Sequence, residues 1–333
     1  MSRFPTYGDR PVALLTNDDG PPGPSSPNIY AFAKLLRDRL GWDVKVVIPD
    51  CQKSWVGKAY AISDVVTTSY FYPQEPDGLT GDITPAPRPF GNGETMEWIL
   101  ISGTPASCTN IALHNLYPGQ IDLVISGPNH GRNSSTAFSL SSGTLGAALA
   151  GALSVPIPGP SPSTSSLHTK HIPCIAVSYG VVARPVTPRT NSLAGEVATD
   201  VCRRLWEDWG WEGGSSSSEK RLVQVYSVNV PLIEEALLPE KRKICWTRMW
   251  RNTYGQLFKP TNLLVLTLLT HIYTQQVALT LMTLTAQRPL TNQETTGIGA
   301  PNPHLPQRPL PQVRAHFPPQ IRPNPPNPTR ANS

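Results

Sequence analysis

Strand, helix and strand follow one another within the first 48 residues, and that order limits the fold more than any other feature of the chain. Val12-Ala-Leu-Leu-Thr16 is an apolar run short enough for a buried strand. Ile29, Phe32, Ala33, Leu36 and Leu40 then recur at helical spacing, with Lys34, Arg37 and Asp38 between them. Ser26 is placed to cap that helix with Pro27 at its first position, and Gly41 ends it. Trp42-Asp-Val-Lys-Val-Val-Ile48 follows as a second strand rich in β-branched residues. A strand–helix–strand unit closes as two parallel strands joined by a right-handed crossover, so the sheet starts parallel.

The alternation continues. Trp98-Ile-Leu-Ile101, Ile121 to Ile125, Ile172 to Ser178 and Leu222 to Val230 read as further strands. Thr104 is set to cap a helix that opens at Pro105 and carries Cys108, Ile111, Ala112 and Leu116 on one side. Leu145 to Leu153 is rich in small residues, which suits a helix packed closely on a sheet; Leu193, Val197, Val201 and Leu205 mark another that ends near Trp206. The fold expected is a Rossmann-like α/β sandwich of three layers with a mostly parallel central sheet. Residues 73–95 are rich in Pro and Gly without periodicity and read as an excursion that covers or flanks the sheet. Residues 155–168 and 213–218 read as flexible loops.

Composition narrows the class further. Hydrophobic residues make up 39% of 333, enough for a sizeable core. The net charge of +5 is misleading, because five arginines and one glutamate lie beyond Pro260 and leave only +1 for the rest. No basic stripe argues for nucleic acid. Five scattered cysteines without a Cys-x-x-Cys pair fit reduced thiols better than a disulfide framework or a zinc site. Met1 to Pro11 has no apolar signal-peptide core, so a cytoplasmic location is expected.

The first strand ends in Asn17, Asp18, Asp19 and Gly20. These four residues favour a turn. Yet they also put two carboxylates at the carboxyl end of a strand, where open α/β sheets bind ligands. Two charges at the edge of a core are costly unless something cationic meets them, and a divalent metal is one such partner. The loop after the second strand carries Lys53, which can meet an anion, and Ser54, whose hydroxyl can ligate a metal. Ile121-Asp-Leu-Val-Ile-Ser-Gly-Pro-Asn-His-Gly-Arg-Asn133 repeats the grammar of the opening stretch. Gly127 and Gly131 allow positive φ and close approach to a ligand. Asn129 offers a neutral oxygen to a metal, His130 a donor to a phosphoryl oxygen, and Arg132 and Asn133 are further candidates. Ser142, Gly143 and Thr144 gather hydroxyls and backbone N–H groups at a helix start, an anion cradle.

Six blocks taken in order resemble the SurE family of metal-dependent phosphatases, the 5′/3′-nucleotidases. They are Leu14-Leu-Thr-Asn-Asp-Asp-Gly20, Pro49-Asp-x-Gln-x-Ser54-x-Val-Gly57, Ser102-Gly-Thr-Pro-Ala-x-Cys108, Asp122-Leu-Val-x-Ser-Gly-x-Asn-His-Gly131, Ser142-Gly-Thr-x-Gly-Ala-Ala148 and Val228-Asn-Val-Pro231. The resemblance runs from about residue 11 to about 260 and is interrupted at 155–168. It implies one divalent cation, Mg²⁺ or Mn²⁺, held by Asp18, Asp19, Ser54 and Asn129. It also implies hydrolysis of phosphomonoesters, typically nucleoside monophosphates. Asp18, Asp19, Asn129 and His130 are then the expected catalytic group, and Asn17, Gly127, Asn133, Ser142, Gly143 and Thr144 the expected phosphate-binding group. Trp246 to Gly255 is similar to a fungal acid-phosphatase branch. A haloacid-dehalogenase-type phosphatase is set aside, because its Asp-x-Asp arrangement is missing after the first strand.

The pattern breaks near Lys259-Pro260, where the family continues with strands and an arm used in dimer contacts. Here 28 residues without a charge, Pro260 to Gln287, precede a tail with eleven prolines in its last 34 residues. Three explanations stand: a membrane span over 263–285, a lineage-specific tail disordered at its end, and translated intron or out-of-frame sequence, the last being favoured. A homodimer is expected if the arm is intact. Without it, the rival function is a catalytically weak interaction module.

Overall fold

The apolar runs become strands of one sheet. The structure, a computed structural model, describes residues 10–155, 172–212 and 221–258. In chain order the strands are β1 (Val12–Thr16), β2 (Asp43–Pro49), β3 (Thr68–Pro73), β4 (Gly81–Thr84), β5 (Trp98–Ile101), β6 (Leu123–Asn129), β7 (Cys174–Gly180), β8 (Trp211–Glu212), β9 (Arg221–Leu222) and β10 (Val225–Pro231). The helices are α1 (Ile29–Lys34), α2 (Pro105–Ile111), α3 (Thr136–Ser141), α4 (Gly143–Ala152), α5 (Pro188–Glu207) and α6 (Glu234–Leu237). α1 and α2 each run on into a wider turn, Leu35–Arg39 and Ala112–Leu116.

The main sheet has eight strands in the order β10-β7-β6-β1-β2-β5-β3-β4. The first six are parallel, and β3 and β4 extend the far edge antiparallel. From β1 the chain crosses to β2 and β5 on one side; β6 and β7 then build on the other. The point where that direction reverses lies between β1 and β6, and in such sheets the crevice beyond it takes the ligand.

Side chains alternate across the pleat, and each face has its own core. Ala13, Leu15, Val46, Ile48 and Ile125 pack with Phe32 and Leu36 near α1 and with Ala194 and Ala198 of α5. Leu14, Val47, Ile99, Val124 and Ala176 pack with Cys108 of α2 and Ala148 of α4. Helices thus cover both faces, and the three-layer α/β sandwich expected from the alternation is the fold found. The small residues of α4 do what their size suggested: a side chain at Gly151 would lie 2.9 Å from the Cys174 sulfur.

Several expectations are corrected. Ser26 does not cap α1; the residue before the helix is Asn28, with no side-chain cap, because the Ser26 hydroxyl accepts a bond from Asn17 instead. Thr104 does cap α2, accepting from the Ser107 N–H at 3.1 Å with Pro105 at the first position. Residues 73–95 are more than an excursion, since they supply β4 and close a hairpin with β3. The stretch expected to form one strand from Leu222 is divided: Arg221–Leu222 pairs with β8 in a small separate sheet, and only Val225 onward joins β7. Gly131 does not adopt positive φ, whereas Gly127 does, at +123°. All five cysteines are free. No helix among the described residues is long and apolar enough to cross a membrane. The 155–168 loop (apart from Val155), the 213–218 loop, the 263–285 stretch and the Pro-rich tail lie outside the described residues.

Candidate metal and phosphate site

Asn17 to Gly20 form the expected turn, and its four residues divide the work of holding it and of presenting the two candidate carboxylates. Asn17 is the brace. Its amide donates to the Gly20 carbonyl at 2.7 Å and to the Ser26 hydroxyl at 3.0 Å, and its oxygen accepts from the Gly20 N–H at 3.1 Å. It is wholly buried, so its role here is to close the turn rather than to face a phosphate. Gly20 takes φ +78°, with room for no side chain because a Cβ would stand 2.9 Å from the Cys51 backbone. Asp18 and Asp19 are what the turn presents.

Each aspartate is 3% exposed and held from a different direction. Asp18 accepts a 2.6 Å bond from the Thr144 hydroxyl and a further one from the Thr144 backbone. Asp19 accepts from the His130 backbone N–H at 2.9 Å and, more weakly, from Ser54 and Gln52, both at 3.4 Å. Burial, and then the neighbouring Asp19 charge, push the Asp18 carboxyl up to about 7. Burial also raises Asp19, against the bonds that oppose it. Among the described residues neither carboxylate forms an ion pair with lysine or arginine.

β6 ends in Asn129, the candidate amide ligand, with His130 next in the chain. Between Ser126 and Asn129 its register with β7 shifts, so Gly127 and Pro128 form a bulge. A side chain at Gly127 would come within 2.1 Å of the Val177 carbonyl. That glycine is therefore needed against β7. The bulge delivers Asn129 and His130 to the edge beside β1. The Asn129 amide nitrogen donates to the Gly131 carbonyl at 2.9 Å, which leaves its oxygen outside that bond. His130 is half-buried with no partner on Nδ1; burial, followed by Arg184, lowers its pKa. Asn133 is 4% exposed and spans to the outer strands: its N–H donates to Asn229 and its amide to Ser178, at 2.8 and 2.9 Å. It acts as a strut.

The anion cradle at the start of α4 already meets an anion, and that anion is Asp18. Ser142 caps the helix by accepting from the Leu145 N–H at 3.2 Å. Gly143 lies so close that a Cβ there would be 2.6 Å from the Asp18 Cβ. Thr144 supplies the bonds already described. The α4 dipole thus favours the charged form of Asp18, in part against the burial that opposes it. Gln52, Asn229 and Ser178 have roles that spacing did not assign; Gln52 and Asn229 stand inside quoted blocks, but nothing in a polar side chain's sequence position says what it will reach.

The donor set suits a hard cation. Two carboxylates with a hydroxyl and an amide oxygen are the ligand types that Mg²⁺ or Mn²⁺ takes. Among the described residues no group of three or more His, Cys, Asp or Glu could hold a metal, so a cation at Asp18 and Asp19 would have to draw on neutral oxygens as well. The buried, unpaired carboxylates are the feature that such an ion would satisfy.

Known proteins are similar in sequence over most of the chain. A curated yeast relative, the probable tubulin–tyrosine ligase PBY1 of Saccharomyces cerevisiae, is 33% identical over 264 residues, covering 74% of this chain. The match takes in 32% of the yeast protein, so the chain spans about a third of that relative's length. The 5′-nucleotidase SurE of Maridesulfovibrio salexigens is 30% identical over 246 residues, which is 72% of this chain and 74% of that protein. The 5′-nucleotidase SurE of Prochlorococcus marinus is 27% identical over 245 residues, 74% and 71% of the two chains. Among solved structures, the SurE protein from Aquifex aeolicus aligns over 74% of this chain and 75% of its own, with 22% identity and a TM-score of 0.45. The family model described as Survival protein SurE matches residues 13–256, a span that holds every site residue named above. The chain belongs to the SurE family.

Proposed function

We propose that this chain is a divalent-cation-dependent phosphomonoester hydrolase acting on nucleoside monophosphates or related phosphate esters. The observation that carries the reading is the pair Asp18 and Asp19: two adjacent buried carboxylates, raised in pKa, without a basic partner among the described residues. The names of the bacterial relatives support the coarser part, a phosphatase of nucleotidase type. The Trp246 to Gly255 block favours the acid-phosphatase branch within it.

Asp18, Asp19, Ser54 and Asn129 would hold the cation, Mg²⁺ or Mn²⁺. When bound, such an ion polarises a phosphoryl oxygen and offsets charge that develops in transfer. The chain's own residues do the rest. Thr144 and the start of α4 keep Asp18 in one orientation, and the His130 backbone does the same for Asp19. His130, with its lowered pKa and a buried Nδ1 that has no partner, is the proposed hydrogen-bonding group for a phosphoryl or leaving oxygen. Ser142 and Gly143 remain the proposed backbone contacts for the phosphate, next in the chain to the Thr144 that bonds Asp18.

The test is hydrolysis of AMP and p-nitrophenyl phosphate by the purified chain with EDTA, Mg²⁺ or Mn²⁺. Cation-dependent release of phosphate is expected. Equal rates in EDTA, or no release with either cation, would overturn the proposal.

A further inference from the structure

Trp55 is the one non-glycine residue with positive φ among the described residues, at +67°. A bulky side chain in that region is crowded against the following carbonyl oxygen and is disfavoured. Strain of this kind is retained where the surrounding structure over-determines it, and it concentrates at binding sites. The segment around Trp55 is firmly held. The Gly57 N–H donates to the Ser141 carbonyl at 2.9 Å, and a Cβ at Gly146 would come within 2.2 Å of the Gly57 carbonyl oxygen. So the loop is locked between α3 and α4, and the left-handed turn aims the indole.

The loop that carries it borders the carboxylate pair, since the Lys53 N–H donates to the Asp18 carbonyl at 2.7 Å. Trp55 directly follows Ser54, whose hydroxyl lies 3.4 Å from Asp19. Phe138 meets the indole edge-on, ring centroids 6.2 Å apart, and Tyr254 lies tilted at 6.5 Å. Tyr254 is itself fixed, donating to the Ala137 carbonyl at 2.6 Å. Even with both neighbours Trp55 remains 57% exposed, and Tyr254 47%. A large apolar ring held open under strain, one residue from a cation-facing hydroxyl, is a surface for a flat aromatic group joined to a phosphate by a short polar spacer. A nucleobase on its ribose phosphate has that form, and base–aromatic stacking tolerates any base.

We infer that Trp55, backed by Phe138 and Tyr254, is the stacking platform for the base of a nucleoside monophosphate whose phosphate lies at Asp18 and Asp19. The inference rests on the reading of that site as a phosphate site and names the substrate group it selects. Trp55 contributes to affinity for the base and not to bond breaking.

The test is equilibrium binding by calorimetry of AMP and of ribose 5-phosphate, which lacks the base, to the full chain, with hydrolysis assayed separately. The wild type is expected to bind AMP about tenfold more tightly than ribose 5-phosphate, equivalent to about 1.4 kcal/mol. Trp55→Gly removes the ring and relieves the left-handed strain, so the backbone is not the weak point of this variant. Its AMP to ribose 5-phosphate ratio is expected to fall to about one, and Trp55→Phe to restore most of the ratio. A wild-type ratio near one, or a ratio that persists in Trp55→Gly, overturns the platform. A Trp55-dependent ratio without any hydrolysis leaves the platform standing and removes the catalytic reading instead.

Discussion

Two corners of the molecule bury carboxylates and treat them in opposite ways. At the sheet's far edge, beyond β4, Glu94 is 8% exposed. Arg88 grips both of its oxygens at 2.7 and 2.6 Å and the Gly91 N–H adds a third bond at 2.6 Å. The Arg88 bond, then that of Gly91, hold the Glu94 carboxyl down to about 2. At the end of β1, Asp18 and Asp19 are more deeply buried, and burial pushes Asp18 up to about 7. The chain therefore contains, in one fold, a carboxylate neutralised by its own guanidinium and a pair with hydrogen bonds but no ion pair to lysine or arginine among the described residues. The difference separates a structural ion pair from the pair proposed to take an external cation. Charge buried without a partner is the costlier arrangement, and such arrangements mark function.

The sharpest way to break that contrast is Asp18→Asn. Losing one charged ligand is expected to lower cation-dependent phosphate release by about a thousandfold or more, since the polarising effect it supports is worth several kcal/mol. Activity within tenfold of wild type would sink the assignment. Next is Gly143→Ala, which leaves every proposed ligand in place. A Cβ 2.6 Å from the Asp18 Cβ must displace either α4 or the carboxylate. A displacement on that scale costs about a hundredfold in kcat/KM, while the circular dichroism of the α/β fold persists.

Arg88→Leu sharpens the other half of the comparison. It strands Glu94 without a cation, so Tm is expected to drop by several degrees in a thermal melt. Phosphate release per folded molecule should be unaltered, because Arg88 bonds to Tyr72 and Asp82 at the β3–β4 edge, with β5 and β2 between that edge and β1. The mildest perturbation is pH. Asp18 has a folded pKa above its unfolded value of 3.8, so its contribution to stability is fully present below about 3.8 and is lost as pH rises through about 7. Glu94 runs the other way, contributing above its ordinary 4.5 and losing that contribution as pH falls towards about 2. The metal-free chain is therefore expected to lose Tm between pH 5 and 8, and Mn²⁺ to restore it at pH 8. A Tm that rises over that interval in EDTA would contradict the burial argument for Asp18.

The sequence made one of these corners legible and hid the other. β1, β5 and β6 are apolar runs that stop at polar, glycine-marked turns, so both the strands and the end of the sheet that carries chemistry can be read from hydropathy alone. Thr104-Pro105 announced a helix start because a threonine before a proline has few competing uses there. Ser26-Pro27 carries the same signal and misleads, since Asn17, nine residues upstream, claims the serine hydroxyl first. Arg88 and Glu94 sit in a stretch with no periodicity, and their pairing depends on a hairpin that only the finished sheet edge specifies. Thr144 was legible as an anion-facing residue; that the anion is Asp18 follows from packing of α4 across 126 residues of chain, which no local pattern encodes.

The neighbouring of β1 and β6 has a consequence for how the chain acquires its site. Asp19 and His130, joined by one hydrogen bond, are 111 residues apart. β2 and β5 can assemble beside β1 before β6 exists, yet the pocket around the carboxylates closes only when β6 docks on β1's free edge. Until then the aspartates remain in water, where their charges cost little. Contacts of such long range form late in folding. A cation that grips only the closed corner should slow unfolding far more than it speeds folding, so that saturation with Mn²⁺ acts as a latch on the finished protein rather than as a guide to it.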